Sequence, residues 1–243
     1  MAKSLNFDTK ISQHTADGIK IRGQKLSSLI RAKDFVSVFF FHLTGKKPSE
    51  AERQVLNAIL IASLDHGVEP ASGFIPRVVA STGHDVLTSM ASTLLALGPK
   101  HGGAITGCME VLQELNQMGS DKEAAAIELV KKYREQKKRI PGYGHPYYKD
   151  SDPRAEELFK IARQSSLSPE FSNLAQILEH AIEEELRKKL ILNIDGAIAA
   201  LLLTMGIDPL AGNGIFGLAR VAGSIAHITE ELKENPGVRR LGE

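Results

Sequence analysis

Three loops in the sequence combine glycine, a titratable side chain and a helix boundary. The first is Gly98-Pro99-Lys100-His101-Gly102-Gly103-Ala104. Glycines let backbone N–H groups come close to a ligand, and a helix start favours negative charge. A histidine there tends to be neutral, and can donate a hydrogen bond to an oxygen on which enolate charge develops. The other use of such a loop is a plain helix–helix turn with a chance histidine. It is not a nucleotide P-loop, because no Gly-Lys-Ser/Thr follows at the required spacing. The second loop is Pro141-Gly142-Tyr143-Gly144-His145-Pro146, with Asp152-Pro153-Arg154 shortly after it. An arginine at a helix start beside a histidine makes a carboxylate site with a general acid/base. The plain alternative is a solvated surface arginine. The third is Asn193-Ile194-Asp195-Gly196, where Asp195 is the one acid in an apolar stretch running to Leu203. Apolar surroundings raise a carboxyl pKa and its basicity. Asp195 also suits a helix N-cap, and the two roles can coexist.

His66, in Leu64-Asp65-His66-Gly67, ends a helical run. It fits either a partner for the helix C-terminus or a ligand for a substrate anion. Asp65 makes a metal site conceivable, but no companion histidine lies four residues on, and no metal is expected. His14, His42, His84 and His180 lack any comparable context. Cys108 is the one cysteine. It excludes an intramolecular disulfide, fits a reducing compartment and reads as a packing residue inside a helix.

The elements that must position these loops are helices almost throughout. Ile19-Lys20-Ile21-Arg22 alternates after Asp17-Gly18 and predicts a small N-terminal β-hairpin. Asp34 caps a helix over 35–43; Ser49 with Glu52, and Ser120 with Glu123, have capping-box spacing. Further helices are expected over 85–97, 103–118, from Asp152-Pro153, from Ser168-Pro169 to about 189, over 193–205 and over 209–232. The fold class is therefore all-α. The chain is expected to be one unit, 1–243. If the loop at 140–146 divides it, the lobes are 1–140 with 190–243 and 141–189.

Composition bounds the function classes. The chain has 243 residues, 42% hydrophobic and 24% charged, with 30 basic against 29 acidic side chains. That balance, and the lack of a helix-turn-helix with a basic face, argue against a nucleic-acid binder. No apolar run approaches the ~18–20 residues that span a bilayer, and the first ten residues lack the apolar core of a secretory leader. A cytoplasmic protein without membrane contact is expected.

Taken together, the loops resemble the citrate synthase superfamily. Gly98 to Ala104 is similar to its Gly-Pro-x-His-Gly-Gly-Ala loop, Pro141 to His145 with Asp152-Pro153-Arg154 to its second histidine loop, and Asn193-Ile194-Asp195 to its Asn-Val-Asp motif. Phe216 to His227 is similar to its arginine helix. Asp65-His66-Gly67, Arg77 to Gly83 and Asp195 to Ile198 resemble the citryl-CoA lyases and the matching module of ATP-citrate lyase. The sequence departs from the pattern at Lys100 and at Ile105-Thr106-Gly107, which bear on the detail of the substrate pocket.

The resemblance implies a citrate-synthase-like multi-helix fold and cleavage of citryl-CoA to acetyl-CoA and oxaloacetate by enolate chemistry. His145 would accept the citryl hydroxyl proton, His101 would hydrogen-bond the thioester oxygen, and Asp195 would protonate the enolate carbon. His66, Arg154 and Arg220 would bind the oxaloacetate carboxylates, with Arg239 or Arg240 reaching over from a neighbouring subunit. Lys149 and Lys188 would meet coenzyme A phosphates. No permanently bound cofactor is implied, only the coenzyme A thioester as substrate and product. A homodimer or homotetramer is implied, as is a separate citryl-CoA synthetase, because no ATP-grasp or CoA-ligase region is present. The long helical N-terminal region of citrate synthases is also not seen, which favours cleavage over condensation. The alternatives are a citrate synthase-type condensing enzyme and an inactive family member serving as a helical assembly partner.

Overall fold

The computed structural model of the chain describes residues 8–234 and 237–240. The chain divides into two compact units, Met1–Arg53 and Gln54–Glu243. In the first, strands β1 (Ser12–Thr15), β2 (Gly18–Ile21) and β3 (Gln24–Lys25) form an antiparallel sheet, with Ser12 opposite Ile21 and Lys20 opposite Lys25. The expected hairpin thus gains a third strand. Arg22 and Gly23 both have positive φ, and that tight reversal folds Gln24 and Lys25 back onto β2. Helices α1 (Leu26–Ala32) and α2 (Phe35–Thr44) follow. Asp34 caps α2 by accepting the Ser37 N–H at 3.0 Å, and Gly45 closes it in the left-handed region.

Helix α3 (Glu50–Leu64) opens on the expected capping box: the Ser49 N–H donates to Glu52, and the Glu52 N–H to Ser49 Oγ. The second unit continues with α4 (Ala71–Ser81), α5 (Val86–Leu95), α6 (Ala104–Gln117), α7 (Lys122–Glu135), α8 (Pro153–Gln164), α9 (Glu170–Leu186), α10 (Ile194–Thr204), a 3-10 turn (Pro209–Ala211) and α11 (Gly212–Glu234). Asp121, not Ser120, caps α7, since its carboxylate takes the Ala124 N–H at 3.0 Å.

α10 is the hub. Residues Ala197 to Leu202 are fully buried, and the helix packs on α6, α8 and α9. A helix apolar all round belongs inside a core, so Asp195 in its first turn is carried inside with it. α11 lies against α4, α5 and α6 and brings a buried Arg220 to the same region. Among the described residues no helix is long and apolar enough to cross a membrane.

Candidate active site

The 98–103 loop closes on itself through reciprocal backbone bonds between Gly98 and His101, both 2.8 Å. This presents the His101 ring to the start of α4. Its Nε2 lies 2.8 Å from Ser72 Oγ and 3.4 Å from the Ser72 backbone N–H. An N–H can only donate, and Arg220 Nη1 donates to the same Ser72 Oγ at 2.9 Å, which turns the serine hydroxyl toward His101. Nε2 is therefore an acceptor, and the neutral ring carries its proton on Nδ1. Arg220 is held in turn by the Ser63 carbonyl, which accepts from its Nε at 3.0 Å, and by the Phe216 ring, 4.9 Å from the guanidinium carbon.

His145 has the opposite tautomer. Its Nδ1 accepts the backbone N–H groups of Tyr147 and Tyr148 at 3.1 and 3.0 Å, so Nε2 carries the proton of the neutral ring. Arg154 Nη2 sits 3.4 Å from that Nε2. Arg154 grips Asp152 through Nε and Nη2, at 3.0 and 2.8 Å. Asp152 is 1% exposed and also accepts the Ile194 N–H at 3.0 Å, which ties this arginine to the first turn of α10. Asn193 makes a second tie. Its side-chain oxygen accepts the N–H groups of Asp195 and Gly196, and its Nδ2 donates to the Gly144 carbonyl at 2.8 Å. Asn193 is thus the cap of α10, and the Asp195 carboxyl is not spent on capping.

The groups share one electrostatic environment. Burial pushes the Asp195 carboxyl above the ordinary carboxylate value; Asp152 adds to this, and the Arg154 and Arg220 charges oppose it. Burial and the Arg220 charge lower His101. Burial lowers His66, helped by Arg154 and Arg220 and opposed by Asp152 and Asp65. Burial lowers His145, and Arg154 adds to it against the pull of Asp152. Burial tends to raise Asp152, yet Arg154 and the backbone donors outweigh that and hold its carboxyl low. The same two guanidinium charges bear on all of them: Arg154 and Arg220 on His66 and Asp195, Arg220 on His101 and Arg154 on His145. His66, His101, His145, Asp195, Arg154 and Arg220, from five separate stretches of chain, come together.

A cavity of about 950 Å³ opens beside them, lined by Gly103, Ala104, Gly144 and His145 on one side. Lys188 lines it, together with Arg134, Lys137, Lys138 and Arg139. Of this basic set only Lys188 was singled out from the sequence, although Lys137-Lys138-Arg139 shortly precedes the second loop. Lys149 is placed elsewhere: its Nζ donates to the carbonyls of Pro146 and His145 at 2.9 and 3.3 Å, bracing the loop. Arg239 pairs within its own chain, through Nε and Nη2, with the buried carboxylate of Glu231, both at 2.7 Å; Arg77 Nε adds a third bond at 2.8 Å. Arg240 is exposed. Cys108 is buried, and burial pushes its thiol far up, as suits a packing residue. Among the described residues no group of three His, Cys, Asp or Glu side chains could hold a metal ion.

A helical core thus carries two histidine loops and an aspartate helix start beside a basic cavity. The family model "Citrate synthase, C-terminal domain" matches residues 7–241, and the chain belongs to the citrate synthase family. It is similar to the solved citryl-CoA lyase of Hydrogenobacter thermophilus, with 39% identity and a TM-score of 0.90 over 97% of this chain and 91% of that one. The ATP citrate lyase of Methanothrix soehngenii, solved with citrate and coenzyme A, gives 26% identity and 0.85 over 99% and 41%. Citrate synthase 2 of Bacillus subtilis (strain 168) is 33% identical over 205 residues, 83% of this chain and 53% of its own length. The chain spans about half the length of the curated relatives it matches.

Proposed function

We propose that the chain is a citryl-CoA lyase that cleaves citryl-CoA to acetyl-CoA and oxaloacetate. The observation that carries this is that Asp195, raised by burial, and two histidines of opposite tautomer share the Arg154 and Arg220 charges. Similarity to a citryl-CoA lyase along nearly the whole of both chains supports the direction.

In cleavage, His101 donates Nδ1–H to the thioester oxygen, where negative charge collects as the C–C bond breaks. Protonated Asp195 gives its proton to the enolate carbon and so forms the acetyl methyl group. Burial favours the protonated carboxyl. His145 serves the hydroxyl oxygen. Its Nδ1 is engaged by two backbone donors, so its Nε2–H, with Arg154 Nη2 beside it, hydrogen-bonds that oxygen and stabilises the alkoxide from which the C–C bond breaks; the hydroxyl proton leaves to solvent, and solvent reprotonates Asp195 after the enolate carbon has taken its proton. Arg154 and Arg220 keep N–H donors beyond those already used, and with His66 they bind the oxaloacetate carboxylates. The Lys188 side of the cavity receives the coenzyme A phosphates. With Arg239 held on Glu231, Arg240 is the tail arginine that reaches a neighbouring subunit in a homodimer or homotetramer.

Curated relatives that are citrate synthases favour a second reading: condensation of acetyl-CoA with oxaloacetate through the same steps reversed. One experiment separates the two. The protein is incubated with acetyl-CoA and oxaloacetate, and free coenzyme A is assayed; citryl-CoA is supplied in a parallel reaction. Cleavage of citryl-CoA with little coenzyme A release supports the lyase. Rapid stoichiometric release of coenzyme A replaces it with the synthase.

A further inference from the structure

The segment that carries His66 is gripped by a face of α11 of which the reaction scheme uses Arg220 but not Gly223 or His227. Arg220, Gly223 and His227 are spaced so that they follow one another along one side of that helix. Each engages one of three successive residues. Arg220 Nε donates to the Ser63 carbonyl. Gly223 lies directly against Leu64, such that a Cβ there would collide with the Leu64 carbonyl oxygen. His227 Nε2 stands 3.0 Å from Asp65 Oδ1. That same carboxylate oxygen accepts the backbone N–H groups of His66 and Gly67, at 2.7 and 3.0 Å. The next side chain is the His66 imidazole.

An isolated pair such as Asp65 and His227, with side chains 52% and 22% exposed, adds little to stability. Its geometry still fixes the direction of one carboxylate, and that carboxylate holds the His66 backbone. We propose that His227 and Gly223 are positioning residues for the His66 imidazole, acting through Asp65 and the Ser63–Gly67 backbone. The inference deepens the reading above, because it rests on His66 binding a substrate carboxylate. His227 donates to Asp65 from Nε2, the carboxylate stays oriented toward the 66 and 67 amides, and the close contact at Gly223 sets the depth of the segment. Small displacements of a binding group are expensive in affinity and rate.

The test is calorimetric binding of oxaloacetate to the full chain and to His66→Ala, His227→Ala, His227→Gln and His227→Asn. Glutamine places an amide N–H near the position of histidine Nε2, and asparagine falls short of it. His66→Ala is expected to weaken oxaloacetate binding. His227→Ala and His227→Asn are expected to weaken it by about fivefold, the size of one lost hydrogen bond, and His227→Gln to restore most of it. In turnover the same variants raise KM for the oxaloacetate-bearing substrate more than they lower kcat. Should the alanine variant fail to fold, the contrast between glutamine and asparagine decides. Weaker binding in His66→Ala with Gln and Asn alike, or both like wild type, overturns the positioning role alone. Unchanged binding in His66→Ala removes His66 from the site and the inference with it.

Discussion

Gly142 and Gly196 meet backbone to backbone: a Cβ on Gly196 would lie 2.5 Å from the Gly142 carbonyl oxygen, and one on Gly142 would lie 2.9 Å from the Gly196 Cα. This contact seats the His145 loop on the first turn of α10, one residue from Asp195. Gly142 also has φ +88°, where a side chain is strained. Gly196→Ala should therefore force the two segments apart. We expect a loss of about 1–3 kcal/mol of stability, as for other overpacked sites. Turnover should fall about 100-fold, in line with misplacing a catalytic group by an ångström or so. Thermal denaturation and steady-state kinetics check this; a variant with wild-type melting and turnover would show that the seat is not needed.

Asp195 has a folded pKa raised mainly by burial. The sign follows: a carboxyl that resists ionisation in the folded state weakens folding once pH exceeds its unfolded value of about 3.9, and the penalty is complete above the raised folded value. Asp195→Asn removes the charge while keeping the shape. It should abolish turnover and raise stability at neutral pH by about 0.5–2 kcal/mol. The gain should vanish near pH 4. Denaturant curves at neutral and acid pH measure both, and a variant less stable than wild type at neutral pH would contradict the burial argument.

Much of this site was legible in the sequence because its chemistry sits in short glycine-bearing loops, and helix caps such as Asp34 and Asp152 announce themselves locally. Ser72 was not legible. Its importance comes from His101, 29 residues away, and from Arg220, 148 residues away. α4 was also hard to delimit, because Gly73 and Pro76 weaken its pattern; both are buried, with Gly73 packed under the Gly67 carbonyl. The cap of α10 shows a different limit. Asn193 and Asp195 both suit capping by residue type, and the structure decides, because the Asn193 side-chain oxygen accepts the Asp195 and Gly196 N–H groups. Lys149 looked like a phosphate ligand by position, yet carbonyls of its own loop claim its ammonium.

The pH dependence should differ between the two reaction directions. Cleavage uses Asp195 protonated, and condensation uses it ionised. With rising pH, kcat for cleavage should fall through the raised Asp195 pKa, while the condensation rate climbs through the same value. His101 and His145 titrate below the usual imidazole range, so their protonation limits both directions only on the acid side. Rates measured in each direction over about pH 5–9 test this. Parallel profiles in both directions would take Asp195 out of the proton transfer.

Lys188 and Lys149 should separate cleanly in kinetics. Lys188 lines the cavity with Arg134, Lys137 and Lys138. Lys188→Ala should raise KM for the coenzyme A thioester about five- to tenfold, the worth of one charge-assisted hydrogen bond, with little change in kcat. Lys149 instead holds the carbonyls at 145 and 146. Lys149→Ala should lower kcat through the His145 loop and leave that KM nearly unchanged. The opposite pattern would move the phosphate site to Lys149.

Glu231 is the anchor of the C-terminal tail. Its side chain is fully buried and receives Arg77 and both donor arms of Arg239, while the Arg239 N–H donates to Ser81 Oγ at 2.9 Å. Glu231→Gln keeps the volume and removes the charge that two arginines share. Arg239 is 44% exposed and so regains water when released, which limits the penalty to about 1–3 kcal/mol, below that of breaking a fully buried pair. The tail should then leave α4 and α11, and trypsin should cut after Arg239 faster than in the wild type. Arg239→Lys, which cannot reproduce the two-armed grip, should behave in the same direction with a smaller effect. Equal trypsin rates for wild type and both variants would mean that something other than this carboxylate holds the tail in place.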